Sequence, residues 1–215
     1  MAAQPKVTTR KIPQQSRAVA TSFDLINATA QFLRKNQYSK LSTNKIAELA
    51  GVSIGTLYQY FSSKEALVVA LVEQQFEKDF KRVQAIIEEG ETDSFEEGVQ
   101  KITKAVLEMF SDQTQLRVVI YEQARKLSFI KTRESFQQRI RSLLLENYER
   151  YSHGRYETPS ELSMYVVTTA VIGALFAAAQ EHPEYLTRKD FENQITRLIL
   201  GYYIKADHPT KGAIP

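Results

Sequence analysis

Leu41-Ser-Thr-Asn-Lys-Ile-Ala-Glu-Leu-Ala-Gly-Val-Ser-Ile-Gly-Thr-Leu-Tyr-Gln-Tyr-Phe-Ser-Ser-Lys-Glu-Ala-Leu67 reads as two short helices hinged at Gly51. Ser42 or Thr43 caps the first, because a short side-chain oxygen accepts from the N–H groups left unpaired at a helix start. Ser53 caps the second, which runs through Leu57 to about Tyr60 or Phe61. Ile46, Leu49, Val52, Leu57 and Phe61 are the apolar contacts expected to lock the pair at an angle. Such a pair places its second helix in the DNA major groove. The residues left pointing outward are Ile54, Gly55, Thr56, Tyr58, Gln59 and Tyr60. That mix suits a groove better than a core. Gly55 admits close backbone approach, hydroxyls reach phosphates, and Gln59 offers a donor and an acceptor to an adenine edge. A surface helical hairpin with incidental aromatics is the alternative.

The helical pattern continues in both directions. Upstream, Ser16 is a candidate N-cap for a stripe of Val19, Phe23, Ile26, Ala30 and Leu33 at spacings of three and four. Downstream, Ser62 and Glu65 have capping-box spacing for a long helix with the stripe Val69, Val72, Phe76, Phe80, Val83 and Ile87. Further helices are predicted at 94–111, 114–126, 128–152, 160–181 and 188–204, with breaks at residues such as Ser111-Asp112 and His182-Pro183. The fold class is therefore all-α, with about nine helices. Composition agrees. In 215 residues there are only 8 Gly and 6 Pro, where average usage gives roughly 15 and 11. Strand alternation and repeats are not evident.

Zero cysteines exclude disulfide scaffolds, thiolate metal sites and cysteine nucleophiles. No run reaches about 18 unbroken apolar residues, so no membrane span is predicted. Met1–Lys6 lacks the apolar core of a signal peptide. A soluble intracellular protein is expected. Charge is split unevenly: Met1–Lys64 holds nine basic and two acidic residues, while the rest carries a net −4. A basic N-terminal module facing a polyanion fits this split, as does a charged face with no partner. The predicted organisation is a flexible basic arm at 1–15 (Lys6, Arg10, Lys11), a helix-turn-helix module at 16–64, a second helical module at 65–205 and a loose tail at 206–215.

Ile46-Ala47, Ala50-Gly51-Val52-Ser53, Gly55-Thr56-Leu57-Tyr58, Tyr60-Phe61 and Lys64-Glu65-Ala66-Leu67 together resemble the signature of the tetracycline-repressor (TetR) family of bacterial transcriptional regulators. The resemblance covers about residues 16–67; beyond them it rests on length and helical character. It implies a three-helix DNA-binding domain followed by an all-helical effector-binding and dimerisation domain. By position, Thr43, Asn44, Ser53, Ile54, Gly55, Thr56, Tyr58, Gln59, Tyr60 and Lys64 match DNA contacts, Lys64 as a phosphate-binding lysine. Gln37 departs from the glycine that the family often has before the aromatic matched by Tyr38; Asn36 is the expected substitute cap.

For the second module the resemblance implies a homodimer and a small-molecule effector. Tyr165–Ala179 is apolar nearly all round, so its helix should be buried on several sides. Ala170, Gly173, Ala174 and Ala177, with Leu198, Gly201 and Tyr202 of the last helix, are the expected dimer contacts; an ordinary core helix is the alternative. Phe110, Tyr121, Phe136, Tyr165 and Thr168 are the candidate ligand contacts, against a plain-core reading. A ligand against the long helix is expected to act on it as a lever. His153, His182 and His208 fall in predicted loops or the tail, and the run Glu88-Glu89-Gly90-Glu91 lacks calcium-loop spacing. Neither enzyme activity, a metal nor a cofactor is expected. The reading is a cytoplasmic, nucleoid-associated repressor on a palindromic double-stranded operator, with no membrane partner. An activator of the same fold, and a helical small-molecule-binding dimer that does not use DNA, are the alternatives.

Overall fold

The computed structural model describes residues 12–89, 94–126, 130–151 and 156–204. Lys6, Arg10, Lys11, His153, His208 and the 206–215 tail lie outside the described residues. Among those described are nine α-helices: α1 (Ile12–Leu33), α2 (Thr43–Leu49), α3 (Ile54–Tyr60), α4 (Lys64–Glu89), α5 (Phe95–Ser111), α6 (Thr114–Lys126), α7 (Ile130–Tyr151), α8 (Glu161–Glu181) and α9 (Lys189–Tyr203). Short 3-10 turns occupy Tyr38–Lys40 and Pro183–Thr187. The chain divides into two compact units, Met1–Leu71 and Val72–Pro215, the division falling inside α4.

In the first unit, α1 begins at Ile12, four residues before the predicted cap Ser16. Pro13 falls in its first turn, where a missing N–H costs nothing. The buried face is also rotated from the predicted stripe. Leu25, Thr29 and Leu33, spaced by four, are fully buried, whereas Val19 and Phe23 are exposed. Thr29 satisfies its hydroxyl on the Leu25 carbonyl at 2.8 Å, which lets a polar residue sit in that core. Ser42 caps α2 through the Lys45 N–H, and Ile46 and Ala47 are buried. Leu49 is 44% exposed and does not join the predicted contacts, because it lies some 200° around the helix from Ala47. Gly51, at φ +68°, takes the left-handed turn that separates α2 from α3. Ser53 then caps α3, whose only buried residue is Leu57. The cap of α4 is Ser63, which accepts from the Ala66 N–H at 3.2 Å. The predicted Ser62–Glu65 box does not form, because the Glu65 carboxylate instead accepts from Tyr38 at 3.2 Å.

In the second unit, three apolar clusters tie the helices together. Val83, Ile87, Ala105, Met109 and Leu143 join α4, α5 and α7. Leu107, Phe110, Leu175, Ala178, Ala179 and Leu186 join α5, α8 and the 3-10 turn after Pro183. Tyr148, Tyr156, Met164, Val167 and Tyr203 join α7, α8 and α9. Ser94 and Ser160 cap α5 and α8 at the predicted starts. The α8 helix departs from expectation in burial: Leu162, Tyr165 and Val166 are 71%, 52% and 41% exposed. By length and composition α8 also qualifies as a membrane-crossing helix, the single case among the described residues. Its acidic residues stand at its two ends, and the interruptions between them are uncharged Ser, Thr, Gly and Gln, so an unbroken apolar run was too strict a criterion.

Candidate functional site

The first candidate surface is built on α2 and α3. Ile54, Gly55, Tyr58, Gln59 and Tyr60 are exposed along α3, and Asn44 is exposed in the first turn of α2. Leu57 and Phe61, buried behind them, fix which face turns outward. Thr56 is half-buried, and its hydroxyl shares a 2.8 Å hydrogen bond with Ser53 Oγ. Ser53 Oγ also accepts from the Thr56 N–H at 3.0 Å. Across the turn, the Thr43 hydroxyl and the Tyr58 hydroxyl lie 3.1 Å apart and share a hydrogen bond. Two predicted contact residues from different helices are thereby held together on the exposed face. A Cβ built at Gly55 would meet only Ser53 Oγ, at 3.7 Å, so the bare backbone there is not required by packing within the chain.

Lys64 opens α4 beside this surface. Its ammonium lies 4.9 Å from the Tyr38 ring centroid, a cation–π arrangement that fixes the charge without neutralising it. Burial, and then the neighbouring Glu65 carboxylate that accepts the Tyr38 proton, push the Tyr38 phenol up to about 12. Glu65 moves below the usual carboxylate range, held first by its own backbone N–H, then by Ser63 and Tyr38 hydrogen bonds and by Lys64. Sequence reading gave Tyr38 no role here, although an aromatic before a helix-turn-helix was visible.

The second candidate site is a cavity of about 230 Å³ lined by residues of α4 to α9. Phe110, Tyr121, Phe136 and Thr168 line it, and Tyr165 does not. Met164 takes the inward position, and Tyr165, one residue or 100° further round α8, faces out near Arg141. Phe136 stacks on Phe76 at 4.6 Å between centroids, and Tyr121 contacts Phe76, Phe110 and Phe176. Thr168 donates to the Met164 carbonyl at 2.7 Å, satisfying itself within its own helix.

An ion pair missed in the sequence forms part of the wall. Arg117 holds Asp79 with both terminal nitrogens, one at 2.9 Å, and its Nε donates to the Met109 carbonyl at 2.9 Å. Gln75 donates to the same carboxylate at 3.0 Å. Both partners are buried. The signal was present: Asp79 stands three residues after Phe76 and four before Val83, on the apolar stripe of α4. A charge on a buried face demands an opposite one. Burial, with Asp79 adding and Arg117 opposing, raises the Tyr121 phenol well above its ordinary range.

The candidate dimer residues are exposed or half-buried along α8 and α9. Ala170, Gly173 and Gly201 are exposed, Leu198 and Tyr202 are 44% and 46% exposed, and Ala174 and Ala177 are half-buried. A Cβ added at Gly173 or Gly201 would meet nothing within 4 Å. Their small size therefore serves no packing among the described residues.

Residues 25–71 match the family model described as bacterial regulatory proteins, tetR family. Residues 94–202 match a second, the tetracyclin repressor-like C-terminal domain. The chain is 32% identical over 68 residues to the fatty acid metabolism regulator protein of Bacillus subtilis, a match covering 32% of this chain and 35% of that protein. It thus spans about a third of the length of this curated relative. A TetR-family regulator from Mesorhizobium loti shares the fold with a TM-score of 0.70 at 16% identity, over 87% of this chain and 98% of that one. The regulator FadR from Bacillus subtilis, solved in complex with stearoyl-CoA, aligns with a TM-score of 0.62 at 17% identity, over 84% and 98%. With each unit matched in turn, and the second match alone spanning half its length, the chain belongs to the tetR family of bacterial regulatory proteins.

Proposed function

We propose that the chain is a ligand-responsive DNA-binding transcriptional regulator, a cytoplasmic repressor that grips a palindromic duplex operator as a homodimer. A small-molecule effector entering the cavity of the second unit releases it. The observation that carries this reading is the outward face of α3. Tyr58, Gln59, Tyr60 and Gly55 are exposed on a helix capped by Ser53, and Lys64 opens the next helix with its ammonium over the Tyr38 ring. Groove-reading side chains next to a phosphate-directed cation are what a recognition helix requires. The module division at about 64 and the contact roles of Thr43, Asn44, Ile54 and Thr56 belong to the same proposal. So does the dimer: the exposed apolar faces of α8 and α9 suit a second copy, with the two unobstructed glycines admitting close helix approach. That a relative is named for fatty acid metabolism and a structural neighbour holds stearoyl-CoA supports an effector with a hydrophobic body.

The test is binding to a duplex selected from a randomised library, measured across salt concentrations. Lys64→Ala should weaken binding to every duplex and reduce the magnitude of the log–log salt slope by about one unit per lost phosphate contact. An unchanged affinity and slope would remove Lys64 from the interface. Failure to select any duplex would sink the regulator reading.

A further inference from the structure

On the reading that the cavity of the second unit takes the effector, we propose that its occupant is an uncharged, largely hydrocarbon molecule. Its single hydrogen-bonding group is held by the Tyr121 hydroxyl beside the Asp79–Arg117 pair. The cavity wall is mostly aliphatic and aromatic, so its occupant gains chiefly by leaving water. At about 230 Å³ it is small for a ligand site, below the usual range of about 300–1,000 Å³.

Charge decides the rest. Among the described lining residues the charged groups are Asp79, Arg117 and Lys101. Arg117 spends its guanidinium on Asp79 and the Met109 carbonyl, while Asp79 accepts from both Arg117 and Gln75. Lys101 pairs with Glu97 at 2.8 Å, both side chains about 40% exposed. A ligand carboxylate would meet the Asp79 charge and find Arg117 engaged. A ligand ammonium would have to draw Asp79 away from Arg117. Buried charges tolerate neither. A neutral oxygen has a donor to meet: Tyr121 lines the cavity, and its hydroxyl has no hydrogen-bond partner among the described residues. As a phenol it is protonated, and so a donor, at neutral pH.

Decan-1-ol, decanoate and decylammonium share one chain and differ in head charge. In calorimetry on the full chain, decanol should bind at least tenfold tighter than either ion. Octanol should bind more weakly than decanol by about fourfold per methylene. Tyr121→Phe should weaken decanol roughly threefold to tenfold and leave folding intact, because it deletes a hydroxyl that the described fold does not use. Asp79→Asn frees the guanidinium, so decanoate should then overtake decanol; if that variant does not fold, the unmodified chain and Tyr121→Phe decide. Decanoate binding as tightly as decanol, binding by none of the three, or a Tyr121→Phe chain unchanged in affinity would overturn the proposal. The retained operator is measured in the same titrations. Release by decanoate alone would leave the regulator reading standing and sink the cavity chemistry. Tyr121-dependent decanol binding with operator affinity unchanged would do the reverse.

Discussion

Tyr38 shows how a residue outside α3 can govern one proposed to contact DNA. Its ring lies under the Lys64 ammonium and its hydroxyl donates to Glu65, so one side chain fixes both residues at the start of α4. The folded state holds the Tyr38 proton up to about pH 12, two units above the ordinary phenol. A raised folded-state value means that stability is complete below pH 10 and is lost as pH climbs through 10 to 12, where the unfolded chain has already released its proton. Tyr38→Phe cannot release one. The variant should be less stable than the parent at pH 8, and the gap should narrow as pH approaches 12. Urea unfolding of both proteins at stepped pH measures it; a constant gap would mean that Tyr38 does not gain its proton affinity from folding. Asp79 carries the complementary lesson. Its place on the α4 stripe was legible in the sequence, but its partner Arg117 is 38 residues away and came together with it only through tertiary packing.

At the scale of elements, helix starts were the most legible feature, because each depends on a local side-chain cap. Ser42, Ser53, Ser94 and Ser160 all accept from the N–H three residues on. Where two serines were adjacent, local pattern was insufficient. Ser63 makes the α4 cap, and the rival assignment failed because Glu65 is drawn to Tyr38, 27 residues away. Ser63→Ala should therefore cost about 1 kcal/mol in unfolding experiments, and Ser62→Ala less than about 0.5 kcal/mol. Equal losses would restore the capping box. Phase around a helix was less legible than its ends. The predicted α1 stripe is buried at Ala30 and Leu33 but not at Val19 and Phe23, and the predicted cavity contact Tyr165 faces out beside the lining Met164, since apolar residues also occupy exposed faces. On α8 those exposed residues carry a prediction. Gly173→Arg places its side chain in open space within one chain, so helicity should persist. It would also bury an unpaired charge between two copies. Light scattering should then show monomers; a dimeric variant would move the interface away from α8.

For the molecule as a whole, α4 is the element common to both units. It carries Lys64 in its first turn and Asp79, Val83 and Ile86 in the cavity wall. At 26 residues it is about 39 Å long. A regulator of this build needs no large coupling energy. A tenfold loss of operator affinity follows if the effector favours the released state by about 1.4 kcal/mol, within ordinary allosteric coupling. Linkage makes the relation reciprocal. If a cavity ligand weakens operator binding by some factor, the operator must weaken ligand binding by that same factor. Calorimetry of a DNA-releasing alkanol, with and without saturating operator duplex at one salt concentration, should therefore give two affinities whose ratio equals the ratio of operator affinities with and without the ligand. Equal ligand affinities would sink the allosteric reading even if the compound releases DNA. Competition for the DNA surface would give a ratio that grows without limit as ligand rises, because the two would exclude each other. Coupling through the fold gives a ratio that saturates. Tyr121→Phe separates the two further: it should shift the ligand concentration needed for release, while operator affinity in the absence of ligand stays that of the parent, since Tyr121 belongs to the second unit and the recognition surface to the first.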